Sequence, residues 1–184
     1  EMTKSMPELR EAYARMFKCA KGNWDLFVLF IEMGYGLLRK DGVISFIVPN
    51  KLVSAPYTVA IRNLLATGSV QEMRDYSNVN VFKSAAVYPV VFRVQASEAK
   101  KPVTMDVMED MEHVSNHNKV DPEKFYLDID WDKYFSSTQI DLAIIEKMNE
   151  FPKLGSIAKV NGAATVNEAY LVKEFIFDGT TADE

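Results

Sequence analysis

Cysteine is nearly absent. Cys19 is the only one in 184 residues, so no internal disulfide can form, and a reducing compartment is the natural setting. It sits between apolar and basic residues on a predicted helix with no histidine nearby in sequence, which reads as a half-buried structural thiol. Positive charge is also short. Lys and Arg total 21 against 26 Asp and Glu, a net charge of -5. Free-standing DNA-binding domains are usually basic, because phosphate neutralisation supplies most non-specific affinity. The balance argues against tight DNA binding by this segment alone, but not against a DNA-facing edge on a larger protein. Long apolar runs are missing too. The longest, Leu26 to Leu38, is broken by Glu32 and is too short to span a bilayer. No signal peptide opens the chain. A cytoplasmic protein without membrane partners is the expectation.

Histidine is limited to His113 and His117. Their spacing would suit two metal ligands on one helical face, but His-Val-Ser-Asn-His-Asn reads as a loop, with no third ligand and no glutamate base suitably placed. Solvated histidines are the better account, and Glu109, Asp110 and Glu112 read as a solvated turn. No metal is expected. Glycine-rich phosphate loops are absent as well. Gly34-Tyr35-Gly36 matches part of one but lies inside a predicted helix rather than at a strand-to-helix turn, so close helix packing explains it better.

What is present is an ordinary globular composition, 48% hydrophobic and 26% charged, enough for one sizeable core or two small ones. Leu9, Tyr13, Met16 and Phe17 fall at helical spacing and predict a helix over Pro7 to Ala20. Asn23 can cap a second helix running to about Lys40. It is apolar nearly all round, so burial on more than one side is expected; Gly42 would take its left-handed cap. Val43 to Val48 predicts a strand buried on both faces, as in a parallel sheet. Ser54 to Gly68 predicts a third helix. Val70 to Tyr76 and Val87 to Val94 predict two more strands, with Pro89 marking a bulge or a missing ladder bond. This order is part of a doubly wound α/β sheet, with too few strands to complete one.

From about residue 98 to 135 the composition turns polar and reads as a connector, with one short strand at Val103 to Val107. Ser136 then opens an amphipathic helix whose stripe is Ile140, Ala143, Ile144, Ile145 and Met148, ended by Phe151 and Pro152. Leu154 to Val160 and Tyr170 to Phe177 read as strands of a second, β-rich domain. The domain reading is therefore 1–97, 98–135 and 136–184.

Two places carry functional candidates. Asn50 and Lys51 follow Pro49 at the carboxyl end of the first strand, and ligands of open α/β sheets bind outside such ends; a polar turn capping the strand is the plain alternative. Phe82, in Asn80-Val81-Phe82-Lys83, is either a core anchor or a platform on which a base stacks. The residues alone favour the anchor.

Several segments together resemble the adenine-N6 DNA methyltransferase family of TaqI-like and combined, type IIG, restriction-modification enzymes. They are Gly22-Asn23-Trp24-Asp25-Leu26-Phe27-Val28-Leu29-Phe30-Ile31-Glu32, Leu37-Leu38-Arg39-Lys40-Asp41-Gly42, Ile44-Ser45-Phe46-Ile47-Val48-Pro49-Asn50-Lys51, Val81-Phe82-Lys83-Ser84-Ala85 with Val87-Tyr88-Pro89, and Leu154-Gly155-Ser156-Ile157-Ala158 continuing through Gly162, Thr165 and Asn167-Glu168-Ala169-Tyr170. Each is moderately specific; their order and spacing are more so. The resemblance implies a partial Rossmann-like methyltransferase sheet, a helix and the start of a target-recognition domain. It implies that Phe82 stacks on the flipped target adenine, that Asn50 and Lys51 lie at the active-site rim or touch DNA, and that Gly162, Thr165 and Asn167 open the recognition domain. Val166 stands where the family often has glycine.

Two departures matter. No Asn-Pro-Pro-Tyr or Asp-Pro-Pro-Tyr occurs, and no glycine-rich loop follows a strand to hold S-adenosylmethionine. In the family those elements come earlier. The expectation is a piece of a longer polypeptide that neither binds S-adenosylmethionine nor methylates double-stranded DNA alone, with an uncovered sheet edge prone to self-association. A non-catalytic protein-interaction module on a decayed methyltransferase fold, or half of an RNA or small-molecule methyltransferase, are the other readings.

Overall fold

The computed structural model describes residues 6–82, 87–127, 130–136 and 139–158, in two compact units, Glu1–Leu142 and Ala143–Glu184. The first unit opens with helices α1, Pro7–Met16, and α2, Leu26–Gly36. Strand β1, Val43–Pro49, follows, then a single helical turn α3, Lys51–Ser54, a 3-10 turn at Pro56–Thr58, and α4, Val59–Thr67. Strands β2, Ser69–Asp75, β3, Pro89–Gln95, β4, Val103–Met108, and β5, Val114–Val120, complete the sheet. Short helices α5, Pro122–Leu127, and α6, Lys133–Ser136, come next. Helix α7, Gln139–Asn149, crosses the division between the units, and α8 is Leu154–Ile157.

The sheet order is β1-β3-β2-β4-β5. Strand β3 runs antiparallel to both β1 and β2, β4 runs parallel to β2, and β5 pairs antiparallel with β4. This is a mixed α/β fold with a partly parallel sheet. Inward side chains at period two, Ile44 and Val48 of β1, Val90, Phe92 and Val94 of β3, Val70 and Met73 of β2, and Val103 and Met105 of β4, join one core cluster. Val28 and Ile31 of α2, Ile61 and Leu65 of α4, Phe125 of α5, and Trp131 and Tyr134 pack against them.

Several expectations change. Strand β1 is not buried on both faces in a parallel setting. It is the sheet's edge among the described residues, and Val43 and Ile47 point away from the core, nearly half exposed. The opposite face of the sheet carries a string of ion pairs from Arg93 through Glu72, Arg74 and Asp106 to His117. The helices that share the core lie on the sheet's other face. The stretch read as a connector supplies β5 as well as the strand expected at Val103, now β4, because Val103, Met105 and Val120 have a core to face. Leu154 starts a helical turn, not a strand. Ser136 closes α6, and the long helix begins at Gln139.

Local chemistry explains the shifted boundaries. Helix α2 starts at Leu26 because the Asp25 carboxylate accepts the Leu26 N–H at 2.6 Å, taking the role expected of Asn23. Helix α2 is buried on two sides, Val28 and Ile31 in the main core and Leu29 in a second cluster with Ala20 and Trp24, while Leu26, Phe30 and Met33, with Leu37 just beyond its end, form an exposed apolar stripe. The left-handed residue before β1 is Asp41, with φ 60°, not Gly42. Gly34 lets α2 approach β1: a Cβ there would come within 2.8 Å of Ile44 Cδ1. The third helix, expected from Ser54, begins instead with the 3-10 turn at Pro56 that leads into α4, and buried Arg62 ties it to the preceding turn α3 by donating to Leu52 O at 2.9 Å and Thr58 Oγ1 at 2.6 Å. Pro89 opens β3, where a missing N–H costs nothing. The register irregularity lies in β2 between Val70 and Glu72, and the Tyr126 hydroxyl accepts the Val70 N–H at 2.7 Å.

Candidate functional site

The strand directions put the ends of β1, β2 and β4 and the starts of β3 and β5 on one edge of the sheet. Asn50 sits there. Its backbone N–H donates to Tyr88 O at 2.7 Å, and its side-chain amide donates to Ser77 Oγ at 3.1 Å. Ser77 in turn donates through its backbone N–H, at 2.9 Å, and its hydroxyl to the Asp75 carboxylate. The Asn50 side chain therefore stitches the end of β1 to the loop leaving β2. Lys51 begins α3 with its side chain exposed. Its carbonyl accepts from Thr58 Oγ1 at 3.0 Å.

Phe82 lies on the loop between β2 and β3, so it is carried to this same edge. Its ring is 42% exposed and lies outside the core cluster. Val87 and Tyr88, at the far end of that loop, are 43% and 62% exposed. Asn50, Lys51 and Phe82 thus share one edge. Gly162, Thr165 and Asn167, with the predicted strand Tyr170 to Phe177, lie outside the described residues, as do Lys83 to Ala85.

The edge has an acidic side. Burial raises the Asp132 carboxyl above its ordinary range, and the neighbouring charges of Asp130 and Asp75 add to this while Arg62 opposes it. A cleft of about 390 Å³ lies beside the start of α2, lined by Lys21, Gly22, Asn23, Pro56 and Tyr57.

The histidines are apart in role. His113 Nδ1 pairs with Asp110 at 2.8 Å in the β4–β5 turn, and His117 Nδ1 pairs with Asp106 at 2.7 Å on the sheet. Backbone N–H groups of Glu112 and His113 hold the Asp110 carboxyl down at about 2. Among the described residues no cluster of three or more His, Cys, Asp or Glu side chains is arranged to hold a metal. No described helix is long and apolar enough to cross a membrane. Sequence reasoning gave no role to Tyr88, which it met only within Val87-Tyr88-Pro89, or to Ser77; neither carried a signal of its contacts at this edge.

A mixed α/β unit with exposed aromatics at the carboxyl edge of its sheet is the class these observations define. The family model described as Eco57I restriction-modification methylase matches residues 1–82, the stretch from α1 through β2 to Phe82. Comparison with curated proteins finds no match. Among solved structures, the chain overlaps the cryo-electron-microscopy structure of a DrdV–DNA complex at 10% identity and TM-score 0.44, over 59% of this chain and 13% of that one. It overlaps the type IIG restriction endonuclease BpuSI at 15% identity and TM-score 0.46, over 60% of this chain and 16% of that one. At TM-scores below 0.5 these overlaps do not define the fold. The chain spans less than a fifth of either protein's length.

Proposed function

We propose that this chain is part of a restriction-modification DNA methyltransferase that transfers a methyl group from S-adenosylmethionine to adenine N6 at a specific sequence. The methylase family match over residues 1–82 carries the proposal. Adenine N6 is engaged in pairing inside a duplex, so the base must leave the stack before transfer. Phe82 stacks on the extruded ring, and Asn50 and Lys51 line the rim, with Lys51 facing backbone phosphate. Gly162, Thr165 and Asn167 open a recognition domain. A catalytic tetrapeptide and a glycine-rich cofactor loop come from elsewhere in the parent polypeptide, so the isolated chain is inactive. The donor's methyl sulfonium supplies the reactive carbon; this chain's share is to hold and orient the base.

The sheet supports a Rossmann-like reading. The β1–α4–β2 crossover and helix α2 lie on one face. With right-handed crossovers, a parallel strand preceding α2 falls beside the free edge of β1. That edge, with the apolar stripe of α2 next to it, is then the seam to the remainder of the sheet. Left uncovered, the seam promotes self-association.

The test is methyl transfer by the protein of the complete reading frame. Incubation with S-adenosylmethionine and duplex DNA should give N6-methyladenine by nucleoside mass spectrometry, and the 184-residue chain should give none. A parent that methylates cytosine, RNA or nothing overturns the proposal.

A further inference from the structure

We propose that Tyr88 is a second nucleotide-contacting residue at this edge, its ring stacking on the base next to the extruded adenine. The inference rests on the methyltransferase reading and adds a residue that the resemblance does not assign.

Three observations carry it. The first is a fixed backbone. Tyr88 O accepts the Asn50 N–H at 2.7 Å, and the next carbonyl, of Pro89, accepts the Tyr76 N–H at 2.9 Å. The main chain at 88 is pinned to the ends of both β1 and β2, so its side chain is presented from a rigid base. The second is a free ring. Tyr88 is 62% exposed, and among the described residues its hydroxyl makes no hydrogen bond. Large rings on rigid elements are normally packed, so an exposed one that the fold holds in place is informative. The third is company. Phe82 and Val87 are also exposed, so the loop leading into β3 carries three large side chains at the surface.

Extruding a base removes a stacking partner from its neighbour, which then offers a bare π-face. An aromatic ring is the chemistry that replaces such a partner, and it tolerates any base. A phenol adds a hydroxyl able to donate to phosphate or sugar. Phe82 cannot cover both the extruded base and its neighbour, whereas Tyr88, six residues on at the start of a different strand, is separately anchored.

Photochemical cross-linking in the complete protein tests this, because trypsin separates the two aromatics. Cleavage after Arg74, Lys83 and Arg93 leaves Phe82 in peptide 75–83 and Tyr88 in peptide 84–93. A duplex carrying 5-iodouracil beside the target adenine should cross-link to Tyr88 in peptide 84–93. Tyr88→Ala should lose that adduct and weaken DNA binding about tenfold, with Tyr88→Phe within about twofold of wild type. The melting temperature should stay unchanged in both. An adduct confined to peptide 75–83, unchanged binding by Tyr88→Ala, or a lowered melting temperature overturns the assignment. N6-methyladenine formation by the same wild-type preparation reports separately on the methyltransferase reading, which can stand while the Tyr88 assignment falls.

Discussion

The two edges of the sheet differ in how their side chains are engaged. The amino edge, where β3 ends, has a hollow of about 700 Å³ beside Tyr35, Asp41, Thr67 and Ala96. Several polar groups around it are paired with one another. Tyr35 Oη and Thr67 Oγ1 meet at 3.1 Å, and the Lys100 ammonium donates to Ala66 O and Thr67 O at 2.7 and 2.8 Å while lying over the Tyr126 ring. The carboxyl edge holds out Lys51, Phe82 and Tyr88, which are exposed outside the core cluster.

If stability resides between the edges rather than at them, the largest effect belongs to the core. Phe92 is fully buried and stacks on Phe46 at 6.2 Å between centroids. Phe92→Ala should cost about 3–5 kcal/mol by denaturant unfolding. A cost under 1 kcal/mol would mean that the sheet's centre does not hold the fold. The seam at β1 and α2 comes next. Sedimentation should show the isolated chain self-associating, and Leu37→Lys with Ile47→Lys should shift it toward monomer. A strictly monomeric wild type with the same edge bare contradicts the seam. At the amino edge, Lys100→Ala removes the cation from the carbonyl end of α4 and should cost about 1 kcal/mol in the same unfolding assay.

A smaller, kinetic effect concerns Cys19. Burial, reinforced by the Glu32 carboxylate, pushes its thiol up to about 12. Glu32 is held there by the N–H groups of Lys18 and Cys19, both at 2.8 Å. With about one thiol in ten thousand ionised at pH 8, alkylation by iodoacetamide should be far slower than for a free thiol and should speed up as pH rises. Rapid labelling at pH 7 would show the site to be open.

Much of the first unit was legible in its residues, because helical and alternating patterns report a core directly. Leu26 to Leu38, Val43 to Val48 and the period-two runs of β2 and β3 all became elements. The misjudgements came where pattern cannot see partners. Val43 to Val48 is apolar but for Ser45, and only the pairing with β3 shows that half of it faces outward. Val114 to Val120 looks like a polar loop because its sheet face is solvated and its hydrogen bonds go to β4. The 3-10 turn at Pro56 was hidden because Arg62, six residues on, stabilises it from within the core. At the edge, Asn50 and Phe82 stood out by position, whereas Tyr88 emerges only once its anchor on Asn50 is known.

The central claim is that Phe82 holds a base and not the core. In the complete protein, with 2-aminopurine at the target position, stopped-flow fluorescence should rise on binding as the base leaves the stack. Phe82→Ala should abolish most of that rise, and Phe82→Trp should keep it. Both should melt within about 0.5 kcal/mol of wild type, as expected for a ring outside the core. Unchanged fluorescence together with a clearly lower melting temperature for Phe82→Ala would show the ring to be a core anchor and contradict the account.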